Sequence, residues 1–142
     1  MPEGRSIETN LLAHGRAILS SQPFSANLGT QVEALVRGHA ELSLEVSHSL
    51  LQQHGFVHGG VLAYLADNAL TFAGGSVLGD SLTSEFKVNY LRPVRDATSL
   101  LAIADVTDSG ARQAVCRCDV YFLKERERTL CAAAQGTIRR IG

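Results

Sequence analysis

Apolar positions recur along this chain in two rhythms, and the changes of rhythm divide it into elements. Between residues 6 and 21, Ile7, Leu11, Leu12, Ala17, Ile18 and Leu19 fall at the spacings of an amphipathic helix, and Pro23 is expected to stop it. From residue 26 to residue 50 the period becomes two. Val32, Ala34 and Val36 precede Arg37-Gly38, and Ala40, Leu42, Leu44 and Val46 follow it, which predicts a β-hairpin. A polar loop over residues 51–57 leads to the longest apolar stretch, residues 58–78, a helix apolar on nearly every side and so expected inside the fold. Glycines at 74, 75 and 79 are expected to close it. Four strand-like runs follow, at 82–91, 98–107, 111–123 and 129–138. They are separated by Arg92-Pro93, by Asp108-Ser109-Gly110, and by a charged turn over residues 124–128.

This order predicts an α+β fold: an antiparallel sheet of five to six strands wrapped around one long central helix. A helix apolar all round loses contact with water only if the sheet curls about it. The 142 residues suit a single domain, residues 1–142, with an N-terminal helix over residues 1–22 packed on it like a lid.

Composition narrows the function. A net charge of -1 and a charged fraction of 19% give no field to gather a polyanion, so nucleic acid is not an expected partner. No uninterrupted apolar run reaches the roughly 18 residues of a membrane span, and the N-terminus has no basic region followed by an apolar core. A cytoplasmic protein with no membrane partner is the expectation. The three cysteines, an odd number, are read as core residues rather than a disulfide framework. The five histidines have no metal-like spacing with one another or with the cysteines, and neither a metal nor a cofactor is expected.

The central helix carries the chemistry. Gly59 and Gly60 open it, where backbone N–H groups have no partner within the helix and the dipole is positive; an oxyanion or carbonyl oxygen fits there, although a glycine pair also serves a tight entry. Asp67 lies in the middle of the apolar stretch, where a carboxylate needs either satisfying hydrogen bonds or a cavity in which something reacts. Eight residues separate Gly59 from Asp67, about 12 Å along the axis, whereas a base must come within roughly 3 Å of the atoms it acts on. One helix cannot bring the two together. Two antiparallel copies about a two-fold axis can, each Asp67 facing the other chain's Gly59.

Tyr64, Asp67, Asn68 and Thr71 form one polar stripe on this helix, lining either a substrate site or a dimer interface. His58 is a candidate base or a helix cap. Arg92 and Arg95 flank Pro93, where they either meet a phosphate or face solvent. There is no Gly-x-Ser-x-Gly elbow, phosphate-binding Gly-x-x-x-x-Gly-Lys loop or Gly-x-Gly-x-x-Gly turn, so serine hydrolase, nucleotidase and dehydrogenase readings lose their support.

Gly55-Phe-Val-His58-Gly59-Gly60, Leu65-Ala66-Asp67, Thr83-Ser-Glu-Phe-Lys-Val-Asn-Tyr-Leu-Arg-Pro93 and Ala134-Gln-Gly136-Thr137 occur in an order and at separations that resemble the hotdog-fold acyl-CoA thioesterases, in particular their phenylacetyl-CoA thioesterase-like branch. The resemblance runs from about residue 29 to residue 138. It implies dimers joined edge to edge into a continuous sheet, and often a dimer of dimers. It implies that the Gly59 amide polarises the thioester carbonyl while Asp67 of the neighbouring subunit acts as base for water or as nucleophile. Thr83 matches a Ser or Thr that helps hold the attacking water, and His58 a histidine that helps orient the site. Where many relatives carry Asn, this chain has Gln52, followed by Gln53 rather than Pro, so the amide sits on a longer arm. The expected substrate is an acyl-CoA, with Gly60, Tyr64, Asn68, Thr71, Arg92 and Arg95 as binding residues. Two other readings use the same scaffold: a hydratase or dehydratase, and a non-catalytic acyl-CoA-binding protein.

Overall fold

Pro23 does not merely end the first helix; it begins a second. The computed structural model describes the backbone of residues 2–142 and the side chains from residue 10 onward. Helix α1 spans Pro2–Ser20 and α2 spans Pro23–Leu28. Proline suits the first helical position, where its fixed φ is already helical and its missing N–H is not needed. Gly29, at φ 80°, caps α2 in the left-handed conformation. Of the apolar positions read into the first helix, Leu11, Leu12, Ile18 and Leu19 pack on the core while Ala17 is exposed; the Ile7 side chain lies outside those described. Gly15 lets α1 lie close against the sheet, since a Cβ there would stand 2.5 Å from Leu35 Cδ2.

Strands β1 (Gln31–Val36) and β2 (His39–Glu45) form the expected hairpin, beginning later than the alternation suggested. A bulge between Val32 and Ala34 reverses the phase of β1. Leu35 therefore points into the core in place of Ala34 and Val36, and Val36 is exposed. After a 3-10 turn, His48–Leu50, residues Leu51 and Val57 pair across a short loop.

Helix α3, Gly59–Leu78, is followed by β3 (Ser81–Tyr90), β4 (Ser99–Ser109), β5 (Gln113–Lys124) and β6 (Glu127–Arg140). The six strands form one antiparallel sheet in the order β1-β2-β4-β5-β6-β3, with β1 and β3 at its edges. The expected charged turn over residues 124–128 is tighter than its composition indicated: Lys124 pairs with Glu127, and Glu125 and Arg126 turn the chain at φ 50° and 71°.

Helix α3 touches all six strands, so the sheet wraps it as the pattern predicted. Leu65, Ala66, Ala69, Leu70 and Ala73 are fully buried, each large side chain contributing about 1.5–3 kcal/mol on leaving water. Glycines 74 and 75 do not end the helix. Gly74 is there for close packing, a Cβ at that position falling 2.7 Å from Ile138; Gly79, at φ 91°, is the terminator. Taken alone, this 20-residue helix, with an 18-residue window of mean hydropathy 1.3, has the length and composition of a membrane span, a test that a buried core helix also passes. Here those apolar side chains face strands.

The wrapping is incomplete on one side. Tyr64, Asp67, Asn68 and Thr71 are only half-buried, because they follow the stripe of α3 that the sheet leaves open. Asp67 is thus at the edge of the core rather than inside it. Cys116, Cys118 and Cys131 are free and buried against the helix side of the sheet, and desolvation pushes their thiols up to about 11, 12 and 11.

Candidate active site

Asp67 is anchored from across the fold. Thr83 Oγ1, on edge strand β3, donates to Asp67 Oδ1 at 2.5 Å, and Thr71 Oγ1 lies 2.9 Å from both Thr83 Oγ1 and the Asp67 carbonyl oxygen. Two hydroxyl protons serve these three contacts. Thr83 spends its proton on the carboxylate, so Thr71 shares its own between the carbonyl and Thr83. Oδ2 is left without a protein partner among the described residues. Thr83 reaches this position because Ser84 is an extra residue: β3 pairs Thr83 with Ile138 and Glu85 with Thr137. Gly136 permits the close crossing, since a Cβ there would meet Glu85 O and Phe86 Cβ, each at 2.6 Å.

Tyr64 and Asn68, on the same stripe, turn toward α2. Tyr64 Oη donates to Ser25 Oγ at 2.6 Å and lies 2.8 Å from Thr30 Oγ1, while Asn68 Nδ2 reaches Gln22 Oε1, Ser25 Oγ and Tyr64 Oη at 3.3 Å each. They join Asp67 and Thr71 along one groove whose other wall is Ser21 to Ser25. The polar cluster with Gln22 and Ser25 had no periodic signature in the sequence and was not anticipated.

At the other end of the helix, His58 is a cap: its Nδ1 accepts the Gly60 N–H at 2.9 Å. That N–H is therefore occupied, whereas the Gly59 N–H has no acceptor among the described residues. Tyr90, unforeseen as a site residue, donates from Oη to the Gly59 carbonyl at 2.9 Å, and its ring lies 3.4 Å from where a Gly59 Cβ would stand.

Gly59 lines a second groove with Gln52, Phe56, Tyr90 and Arg92. The Gln52 side-chain oxygen accepts the His54 N–H, which leaves its amide nitrogen available. Arg92 Nη1 donates to Leu130 O at 2.8 Å from an exposed position on the rim. Arg95 is held back from the groove: it donates to the His54 carbonyl and stacks 4.6 Å over the Phe56 ring, bracing the loop that delivers His58.

The Asp67 groove and the Gly59 groove have no lining residue in common. Among the described residues, no three His, Cys, Asp or Glu side chains converge on a metal position.

The profile of the Thioesterase superfamily matches residues 54–129, more than half of the chain, a span that takes in Gly59, Asp67, Thr83 and Tyr90. The chain belongs to the thioesterase superfamily. Within it, the acyl-coenzyme A thioesterase PaaI of Escherichia coli is 27% identical over 129 residues, covering 91% of this chain and 90% of its own. A thioesterase family protein from Silicibacter pomeroyi superposes with a TM-score of 0.87 at 30% identity, over 93% of this chain and 99% of that one. The solved structure of Escherichia coli PaaI also gives 0.87, at 24% identity over 96% of each chain. The fold is the hotdog fold of these thioesterases, and membership places the chain among thioester hydrolases.

Proposed function

We propose that the chain hydrolyses acyl-CoA thioesters to the free acid and CoA, in a site shared between two subunits of a cytoplasmic homodimer. Asp67 takes a proton from water whose oxygen attacks the thioester carbonyl carbon, or its carboxylate attacks that carbon directly. As the carbonyl π bond opens, the oxygen gathers negative charge and accepts the Gly59 N–H of the partner subunit, at the positive end of that subunit's helix. The C–S bond then breaks. On the general-base route the CoA thiolate leaves with the proton held by Asp67. On the nucleophilic route it leaves behind an acyl-Asp67 anhydride, which water hydrolyses to the free acid and the restored carboxylate while the released proton goes to the thiolate. Thr83 keeps Oδ1 engaged so that Oδ2 faces the reacting atoms. Arg92, at the rim of the Gly59 groove, suits a CoA phosphate.

The observation that carries this reading is the division of labour along α3: an anchored carboxylate in one groove, and a free N–H at a helix start in another, about 12 Å apart. Edge strand β3, with Leu82 and Tyr90 exposed, offers the surface for pairing two copies, and a dimer of dimers extends the same arrangement.

The test is thiol release from a panel of aromatic and aliphatic acyl-CoAs. Hydrolysis is expected from the wild type and a loss of at least a thousandfold in kcat from Asp67→Ala and Asp67→Asn, on the scale of removing a residue central to the chemistry. Undiminished turnover in both variants would remove Asp67 from the mechanism.

A further inference from the structure

We propose that the groove between α1 and the C-terminal half of α3 receives the acyl group of the substrate, and that Gly75 sets the length it accepts. The inference rests on acyl-CoA hydrolysis at Asp67 and goes further by naming the substrate class, a medium-length uncharged acyl group.

The groove takes apolar side chains from three elements: Leu11 and Ile18 of α1, Leu35 of β1, and Phe72 and Leu78 of α3 beside Gly75. His14, Ser76, Asp80 and Ser81 complete its wall. Its volume of ≈ 470 Å³ falls within the range of small-molecule pockets, roughly 300–1,000 Å³. It adjoins the Asp67 groove, with Gln22, Asn68 and Thr71 lining both and Asn68 Nδ2 reaching Gln22 Oε1 at 3.3 Å between them. Thr71 marks the junction. Its hydroxyl touches the Asp67–Thr83 pair while its residue forms the near wall of the apolar groove. An acyl group whose carbonyl is seated at Asp67 therefore passes Thr71 to reach the apolar side chains of the neighbouring groove, leading away from the other subunit's Gly59.

Gly75 stands eight residues beyond Asp67, about 12 Å farther along the helix. A Cβ there would meet nothing within 4 Å, in contrast to Gly74, whose added Cβ would collide with Ile138. Adjacent glycines thus serve opposite purposes: Gly74 brings the helix onto the sheet, and Gly75 leaves space. A chain of medium length, or an aryl group on a short linker, fills this distance. An acetyl group leaves it empty, and an anionic end would lose its hydration against Leu11, Leu35 and Phe72 and meet the Asp80 carboxylate on the same wall. The close seating of α1 through Gly15 keeps the opposite wall fixed.

The experiment compares wild type with Gly75→Leu on the straight-chain series from acetyl-CoA to dodecanoyl-CoA, and measures binding of ethyl-CoA and octyl-CoA, thioethers that are not hydrolysed. A buried methylene is worth about tenfold or more in specificity. Gly75→Leu is expected to lose at least tenfold in kcat/KM on octanoyl- and decanoyl-CoA while keeping its acetyl- and butanoyl-CoA values within about twofold. Wild type is expected to bind octyl-CoA more tightly than ethyl-CoA, and Gly75→Leu to lose that preference. Leu11→Phe narrows the same groove from α1 and carries the same expectation if Gly75→Leu does not fold. Superimposable chain-length profiles and equal thioether affinities overturn the acyl-groove assignment. Absence of hydrolysis in the wild type together with a thioether preference that Gly75→Leu abolishes overturns only the hydrolytic reading and supports the groove.

Discussion

Tyr90 and His58 hold opposite ends of a single peptide unit. Tyr90 Oη donates to the Gly59 carbonyl at 2.9 Å, and His58 Nδ1 accepts the Gly60 N–H at 2.9 Å. That carbonyl and that N–H belong to one rigid plane. The neighbouring plane, which carries the Gly59 N–H, is held by the Val61 N–H donating to the His58 carbonyl at 2.9 Å, so the peptide units on both sides of the Gly59 Cα are fixed. The proposed oxyanion donor is thus a single N–H at a helix start that two side chains brace from the following peptide unit without needing to touch the substrate.

Removing the phenolic hydroxyl in Tyr90→Phe deletes one neutral hydrogen bond, worth about 0.5–1.5 kcal/mol. The expected result is a fall of about three- to tenfold in kcat with KM and thermal midpoint little changed, because the ring is 54% exposed and remains in place. His58→Ala is expected to lower kcat as well and to cost about 1 kcal/mol of stability as a lost helix cap. Since both side chains act on one plane, their effects on kcat are expected to be non-additive in a double-mutant cycle. Strict additivity would mean that they act independently.

Thr83→Val keeps the shape of the side chain and removes the hydroxyl that engages Asp67 Oδ1. A hydrogen bond to a charged group contributes about 1.5–3 kcal/mol, so kcat is expected to drop roughly ten- to a hundredfold, while Thr83→Ser retains most of it. Steady-state kinetics on one acyl-CoA substrate decides this. Equal activity in the valine and serine variants would leave the hydroxyl without a role.

What could be read in advance followed from local contrast. Gly59-Gly60 stood out because paired glycines at a helix start expose unpartnered donors, and Asp67 because a carboxylate interrupts an apolar stretch. Tyr90 did not stand out. It lies 31 residues from Gly59 in sequence and reads as one more strand residue, since its contact is made by sheet and helix meeting rather than by any period. Bulges hid two further features. One turns Leu35 inward where alternation pointed to Ala34 and Val36, and the other, at Ser84, sets the register from which Thr83 meets Asp67. The helix ends at Leu78 as read, but Gly74 and Gly75, taken with Gly79 as its terminators because glycine disfavours helices, lie inside it, where tertiary packing overrides that preference.

On the outer face of the sheet, His39 of β2 bridges Asp105 of β4, Nδ1 to Oδ1 at 2.6 Å, and Glu41, Nε2 to Oε2 at 2.8 Å. The hydrogen bond to Glu41, followed by that to Asp105, holds its pKa above the ordinary 6.5 against the opposing effect of desolvation. A raised pKa in the folded state means that the stability from this cluster is complete below about pH 6.5 and is lost as pH climbs through the raised value. Thermal midpoints measured from pH 6 upward are expected to decline more in wild type than in His39→Gln. Because the cluster is largely solvent-exposed, the difference is expected to be small and to shrink in high salt. Parallel pH profiles would show that the cluster contributes nothing.

Complementation between two inactive variants tests whether the site is shared. Asp67→Ala removes the carboxylate but leaves a good Gly59 entrance. Gly59→Phe blocks that entrance, where even a Cβ already touches the Tyr90 ring at 3.4 Å, but leaves Asp67 intact. In a two-fold heterodimer, one site combines both damaged halves and the other combines both intact halves. Random mixing in equal amounts makes half the dimers heterodimers, each with one working site of two, so activity is expected to return to about one quarter of wild type. Each variant alone should remain inactive, and the recovery should follow the time course of subunit exchange. If each chain instead used its own Asp67 and Gly59, every site in the mixture would carry one lesion, and confirmed heterodimers would show no recovery at all.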